Sequence, residues 1–168
     1  ATGVETFRGV QVQIGEVIGW RNLFWSLTDA MACNPEPWVG GALLPNIRAS
    51  TCYRMFMTEA YPAVRSIVEK VIASGLIYLP SHARDFKNPD IDKYLARYVR
   101  GSNGIDYKSR IKTMKLLWDA IGSEFGARHE LYEMNYAGSH ELVRLFPLQQ
   151  AQASGAIAEM EALAEQCM

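Results

Sequence analysis

The sequence predicts an all-α protein built as an antiparallel bundle of long helices. Three observations carry that expectation: apolar residues recur at intervals of three and four over long runs, prolines and glycines fall where those runs end, and nothing alternates strand-like with helix-like segments. The 168 residues, 49% of them hydrophobic and with a net charge of -1, suit one domain with a sizeable core over positions 1–168.

Taking the elements in order, Phe7, Val10, Ile14, Val17, Trp25 and Leu27 keep helical spacing from Glu5 to Met31 with polar residues between them, which predicts one long helix. It ends near Asn34-Pro35, because proline disfavours helical geometry in the residue before it and donates no backbone hydrogen bond. Asn34 to Asn46, with its prolines and glycines, is expected to be a loop. A second long helix runs from Ile47 to Ser74, with a kink at Pro62 and Gly75 as its stop. Leu76 to Leu79 reads as a buried extended stretch. Asn88 as cap and Pro89 at the first helical position open a short helix to about Val99, and the turn Arg100 to Gly104 breaks it. A third long helix is predicted from Asp106 to Phe125, with a continuation beyond Gly126. A turn at Asn135 to Ser139 follows, then a Ser139-capped helix through Gln152, then Gly155 and a last amphipathic helix over Ala156 to Gln166. Trp25, Phe56 and Trp118 are expected to be largely buried.

Several functions are excluded. No apolar run reaches the roughly 18 residues of a membrane span. The 17 basic residues are interleaved with 18 acidic ones, so the chain lacks the positive excess that nucleic acid requires. Cys33, Cys52 and Cys167 are odd in number and without CxxC spacing, which argues for reduced thiols and suits a cytoplasmic protein. His82, His129 and His140 sit in separate segments, and the acids beside the last two project to a different side of any helix, so no metal site is expected. No triad or carboxylate pair stands out, and no catalytic residue is assigned. The chain starts on Ala1 without a targeting pattern, which reads as a cut.

Two glycine turns are the candidate sites. Arg100 to Gly104 combines a guanidinium with small residues that let an anion approach the backbone, against the competing reading of an ordinary interhelical turn. Asn135 to Ser139 is rich in residues that dominate ordinary turns as well as in hydrogen-bonding groups. From the residues alone, the expectation stops at a helical bundle of undefined task.

Longer runs add a resemblance. Thr6 to Gln11, Trp20 to Asp29, Ser74 to Ser81, Tyr98 to Gly104, Leu117 to Gly126, Arg128 to Glu133 and Asn135 to Ser139 together resemble the C-terminal part of the oxygenase component of two-component flavin-dependent aromatic hydroxylases, of the 4-hydroxyphenylacetate 3-monooxygenase type. The resemblance implies the C-terminal helical domain of an acyl-CoA-dehydrogenase-like architecture, with the N-terminal helical and middle β-barrel domains outside this chain, assembled as a homotetramer. It further implies reduced FAD delivered by a separate reductase, and O₂-dependent hydroxylation of a phenol, 4-hydroxyphenylacetate or a relative, to a catechol. The phenol-binding groups of the family lie upstream of Ala1. By position in the motifs, Asn135, Gly138 and Ser139 are expected near the flavin ring, and Arg100 and Ser102 near flavin phosphate or a subunit boundary. The alternatives are a non-catalytic oligomerisation module and a flavin-dependent lyase resembling 4-hydroxybutyryl-CoA dehydratase.

Overall fold

The computed structural model describes residues 2–136 and 138–168. Its elements are α1 (Arg8–Cys33), β1 (Glu36–Pro37), β2 (Leu43–Leu44), α2 (Ile47–Ile72), α3 (Pro89–Tyr98), α4 (Tyr107–Ile121), α5 (Glu124–Tyr136), α6 (His140–Ala153) and α7 (Ala156–Cys167), with 3₁₀ turns at Val39–Gly41, Ala73–Leu76 and Ala83–Lys87. The all-α expectation holds apart from the two-residue antiparallel pair β1–β2, in which Glu36 faces Leu44. That pair closes the segment expected to be only a loop.

The chain divides into two compact units. One comprises Ala1–Val17 and Ala63–Leu131, the other Ile18–Pro62 and Tyr132–Met168. In the second unit, the β1–β2 hairpin turns the chain back so that the end of α1 meets the start of α2. The Asn46 amide donates to Met31 O at 3.3 Å, the Ile47 amide to Glu36 Oε1 at 2.9 Å, and the rings of Phe24 and Tyr53 meet edge-on at 4.8 Å. These contacts set the two helices antiparallel there. α6 packs on the same base through Val143, which is 1% exposed.

In the first unit, Met114 of α4 is equally buried, and its sulfur lies 3.7 Å from where a Cβ on Gly75 would stand. That is ordinary contact; the tight neighbour of such a Cβ is Ile72 Cγ2 at 3.0 Å. The turn out of α2 is made instead by Ala73, whose φ is +50°, so the helix stops at Ile72, before the expected Ser74. Leu76 is buried, but Ile77 and Tyr78 are exposed in a turn, which corrects the expected buried extended stretch. α2 continues past Pro62 as one helix.

The predicted caps are present. Asn88 Oδ1 accepts from the Asp90 amide at 3.0 Å and Ser139 Oγ from the Leu142 amide at 3.2 Å. The third long helix is broken earlier than expected, at Gly122-Ser123. Ser123 Oγ caps α5 by accepting from the Gly126 amide at 3.0 Å. Gly126 then lets α5 approach the end of α4: a Cβ there would lie 2.6 Å from Ala120 O.

Burial departs most from expectation at the aromatic residues. Trp25 is 63% and Trp118 38% exposed, and Phe56 is half-buried. Small residues such as Ala49, Thr51, Thr58 and Ala60 hold the interior of α2 instead. Helical periodicity identifies an apolar face, but not whether this chain or another surface covers it.

Candidate functional site

The first candidate turn lies in the first unit. Val99 ends α3, and Asn103 and Gly104, with φ of +55° and +78°, reverse the chain as an Asn-Gly pair does in a tight turn. The Ile105 amide donates to Ser102 O at 3.2 Å and the Gly101 amide to Ile105 O at 2.9 Å. Asp106 then caps α4, its Oδ1 accepting from the Lys108 and Ser109 amides at 2.9 and 3.1 Å.

Arg100, Ser102, Asn103, Asp106 and Tyr107 line a polar depression of about 680 Å³. The Ser109 hydroxyl, and then its amide, hold the Asp106 carboxyl below its ordinary range. The Tyr107 hydroxyl donates to Asp92 Oδ1 at 2.7 Å, and that bond raises the phenol above its usual value. A cation and a carboxylate thus share this wall. Two of the residues hold the start of the chain: Ser102 Oγ donates to Thr2 O at 3.1 Å and Asn103 Nδ2 to Glu5 Oε1 at 3.1 Å. Gly3, at φ +74°, would place a Cβ 2.7 Å from that of Ser102.

The second candidate lies in the second unit. α5 extends through Tyr136, so Asn135 stands in its last turn rather than in the loop; Ala137 lies outside the described residues. The Gly138 amide donates to Asn135 O at 3.1 Å. Gly138 has φ +112°, a backbone conformation that favours glycine, and a Cβ there would press on Leu142 Cδ2 at 3.0 Å. Ser139 caps α6 and is exposed. The first amides of α6 have no acceptor within the helix, so the turn presents N–H groups and a hydroxyl at the positive end of the helix dipole.

Sequence reasoning missed what anchors this turn. Arg144 donates to His140 O at 2.9 Å and to Thr58 Oγ1 at 3.2 Å, and pairs with Glu59, which ties the start of α6 to α2. No local signal marks partners 85 and 86 positions away. The structure shows each turn as a cluster within its own unit. Among the described residues, no group of three His, Cys, Asp or Glu is placed to hold a metal ion.

The all-α architecture is one that this chain shares with larger oxygenase and dehydratase chains. Residues 1–165 match the family model described as 4-hydroxyphenylacetate 3-hydroxylase C terminal, and the chain belongs to that family. It is 59% identical over 167 residues to the 4-hydroxyphenylacetate 3-monooxygenase oxygenase component of Pseudomonas aeruginosa, covering 99% of this chain and 32% of that protein. It is 54% identical to the oxygenase component of 4-nitrophenol 2-monooxygenase from a Rhodococcus species, with the same coverage.

Among solved structures, the oxygenase component of 4-hydroxyphenylacetate 3-monooxygenase complexed with FAD matches with a TM-score of 0.88 at 28% identity, over 99% of this chain and 35% of that one. A 4-hydroxybutyryl-CoA dehydratase from N. maritimus shares the fold at a TM-score of 0.82 and 18% identity, over 99% of this chain and 32% of that one. The chain thus spans about a third of the length of the relatives it matches.

Proposed function

We propose that this chain is the C-terminal helical part of the oxygenase component of a two-component aromatic monooxygenase that uses reduced FAD from a separate reductase. The parent protein is read as a cytoplasmic homotetramer. The single observation that carries the proposal is the family match over residues 1–165, with 59% identity to a relative named for this activity. The reaction supplied by the bound flavin is phenol + O₂ + FADH₂ giving catechol + FAD + H₂O, with the new hydroxyl ortho to the old one. The phenol is 4-hydroxyphenylacetate or a relative; similar proteins are named for 4-hydroxyphenylacetate and for 4-nitrophenol.

The second turn fits a flavin ring edge in chemical type. The Ser139 hydroxyl and the first amides of α6 are donors suited to a ring carbonyl, Gly138 keeps the approach free of a side chain, and Asn135 adds an amide from the last turn of α5. Arg100 is read as the cation for flavin phosphate or for a subunit boundary. Ser102 stands beside it, holding Thr2 O. The role of this domain is to form one wall of a site from which water must be excluded, since water diverts activated oxygen to H₂O₂.

The test is anaerobic titration of the intact protein with reduced FAD, followed by O₂ uptake with and without phenol. Ser139→Ala is expected to weaken reduced-FAD binding or raise the share of O₂ released as H₂O₂, with the oligomer unchanged. Unaltered affinity and coupling in both Ser139→Ala and Asn135→Ala would return this turn to a purely structural part. A non-catalytic oligomerisation module is the second reading, favoured by the exposed Trp25, Trp38 and Phe125. An intact protein that binds no reduced FAD and consumes no O₂ would support it.

A further inference from the structure

Thr2, Gly3 and Val4 belong to no helix or strand, yet they are half-buried. They lie against the turn between α3 and α4, within the same compact unit. The Ser102 hydroxyl donates to Thr2 O at 3.1 Å, and Asn103 Nδ2 donates to Glu5 Oε1 at 3.1 Å. Between these bonds, Gly3 has φ +74° and passes so close that a Cβ on it would lie 2.7 Å from Ser102 Cβ and 2.8 Å from Ser102 Oγ. Both the positive φ and the missing side chain of Gly3 bring the segment onto Ser102.

The turn keeps its shape without help from this segment. Its own backbone closes it, the Gly101 amide donating to Ile105 O at 2.9 Å and the Ile105 amide to Ser102 O at 3.2 Å. Asparagine and serine in a turn commonly bond backbone a few residues away. Here the Ser102 hydroxyl and the Asn103 amide reach partners 100 and 98 positions distant. Their side chains are thus directed at the segment. From there the path runs into α1: the Phe7 amide donates to Val4 O at 3.0 Å and the Gln11 amide to Phe7 O at 2.9 Å. Whatever holds residues 2–5 therefore sets the direction in which the chain joins α1.

We propose that Ser102 and Asn103 are positioning residues for hydroxylation: they clasp residues 2–5 onto the α3–α4 turn and so fix how the upstream part of the protein is joined to this helical unit. The inference rests on the proposed function, in which the phenol-recognising groups lie upstream of Ala1 and these helices supply one wall of the site. A loosened clasp lets the parts of the site shift, water enters, and activated oxygen leaves as H₂O₂ before it reaches the phenol. Neither residue acts on the phenol itself.

The test uses the intact protein with Asn103→Asp, with Asn103→Asp and Glu5→Gln together, and with Gly3→Ala. Asn103→Asp sets one carboxylate against another and removes the bond; adding Glu5→Gln supplies an amide donor from the other side and restores it. Losing one hydrogen bond shifts a local opening equilibrium about two- to tenfold. Amide hydrogen exchange in the segment is expected to quicken by about that factor in Asn103→Asp and in Gly3→Ala, and the share of O₂ released as H₂O₂ to rise with it. Both readouts are expected to return to the parent's values in the double variant. A phosphate-binding role for Asn103 predicts no such rescue, because the new carboxylate would still repel the phosphate. Unchanged exchange in both Asn103→Asp and Gly3→Ala overturns the clasp. Quickened exchange with unchanged H₂O₂, or H₂O₂ release that Glu5→Gln does not repair, overturns the positioning role and leaves the proposed function standing. An unsubstituted protein that yields no catechol from any phenol overturns the proposed function and this inference with it. Should Asn103→Asp or Gly3→Ala fail to fold, Glu5→Ala, at an exposed position, decides by the same two readouts.

Discussion

Replacing Gly126 with alanine tests the packing of α5 on α4. In an open helical position, glycine to alanine stabilises by about 1 kcal/mol through lower backbone entropy and better helix propensity. At Gly126 the new Cβ would lie 2.6 Å from Ala120 O and 2.7 Å from Asp119 O, both backbone atoms that no rotamer change can move aside. Ordinary contact requires the two helices to separate by several tenths of an ångström. That shift also strains the cap in which Ser123 Oγ accepts from the Gly126 amide. Forcing a methyl into such a contact costs about 1–3 kcal/mol, enough to cancel or exceed the helix gain, so the substitution is expected to be net destabilising. Urea unfolding monitored by circular dichroism should show a lower midpoint at an unchanged slope. A Gly126→Ala protein more stable than the parent by about 1 kcal/mol would show that α5 and α4 do not approach this closely.

Two further perturbations probe the supports of the candidate turns. Asp106 is held below its ordinary pKa first by the Ser109 hydroxyl, so its contribution is present above the unfolded carboxylate range and is lost as pH falls through the lower folded value. Asp106→Asn should abolish that acid-dependent part of the stability, and an identical pH profile in both proteins would contradict the assignment. Arg144→Met removes bonds to His140 O and Thr58 Oγ1 together with a half-exposed ion pair to Glu59. It should cost about 1–2 kcal/mol in denaturant unfolding, and reduced-FAD affinity should fall with it if the turn at Ser139 faces the flavin.

The parts of this fold that were legible in the sequence are those governed by local chemistry. Asn88-Pro89, Ser139 and Gly155 mark helix boundaries because capping and positive φ depend on a few neighbouring atoms, and the structure has them where the sequence placed them. The β1–β2 pair escaped notice because two residues show no periodicity. The break at Gly122 was hidden by an apolar pattern that continues across it. There, the Trp118 ring lies where a Gly122 Cβ would stand, 2.7 Å from its Cε3.

Trp25 and Trp118 depart from expectation for a different reason: helical spacing marks an apolar face but does not say whether that face is covered. The candidate residues came from motif position, and position carried no information on their bonding. That Ser102 holds the Thr2 carbonyl, or that Arg144 reaches Glu59, depends on segments brought together only by folding.

In the function proposed above, these helices are one wall of a phenol-hydroxylating flavoenzyme and do not form the site alone. The measurement is catechol and H₂O₂ formed from 4-hydroxyphenylacetate, O₂ and reduced FAD, by the intact protein and by the 168-residue chain in parallel. Catechol is expected from the intact protein, and from the chain alone only the H₂O₂ that free reduced flavin yields. Catechol from the chain at a rate comparable to the intact protein, or none from the intact protein with any phenol tried, would contradict it.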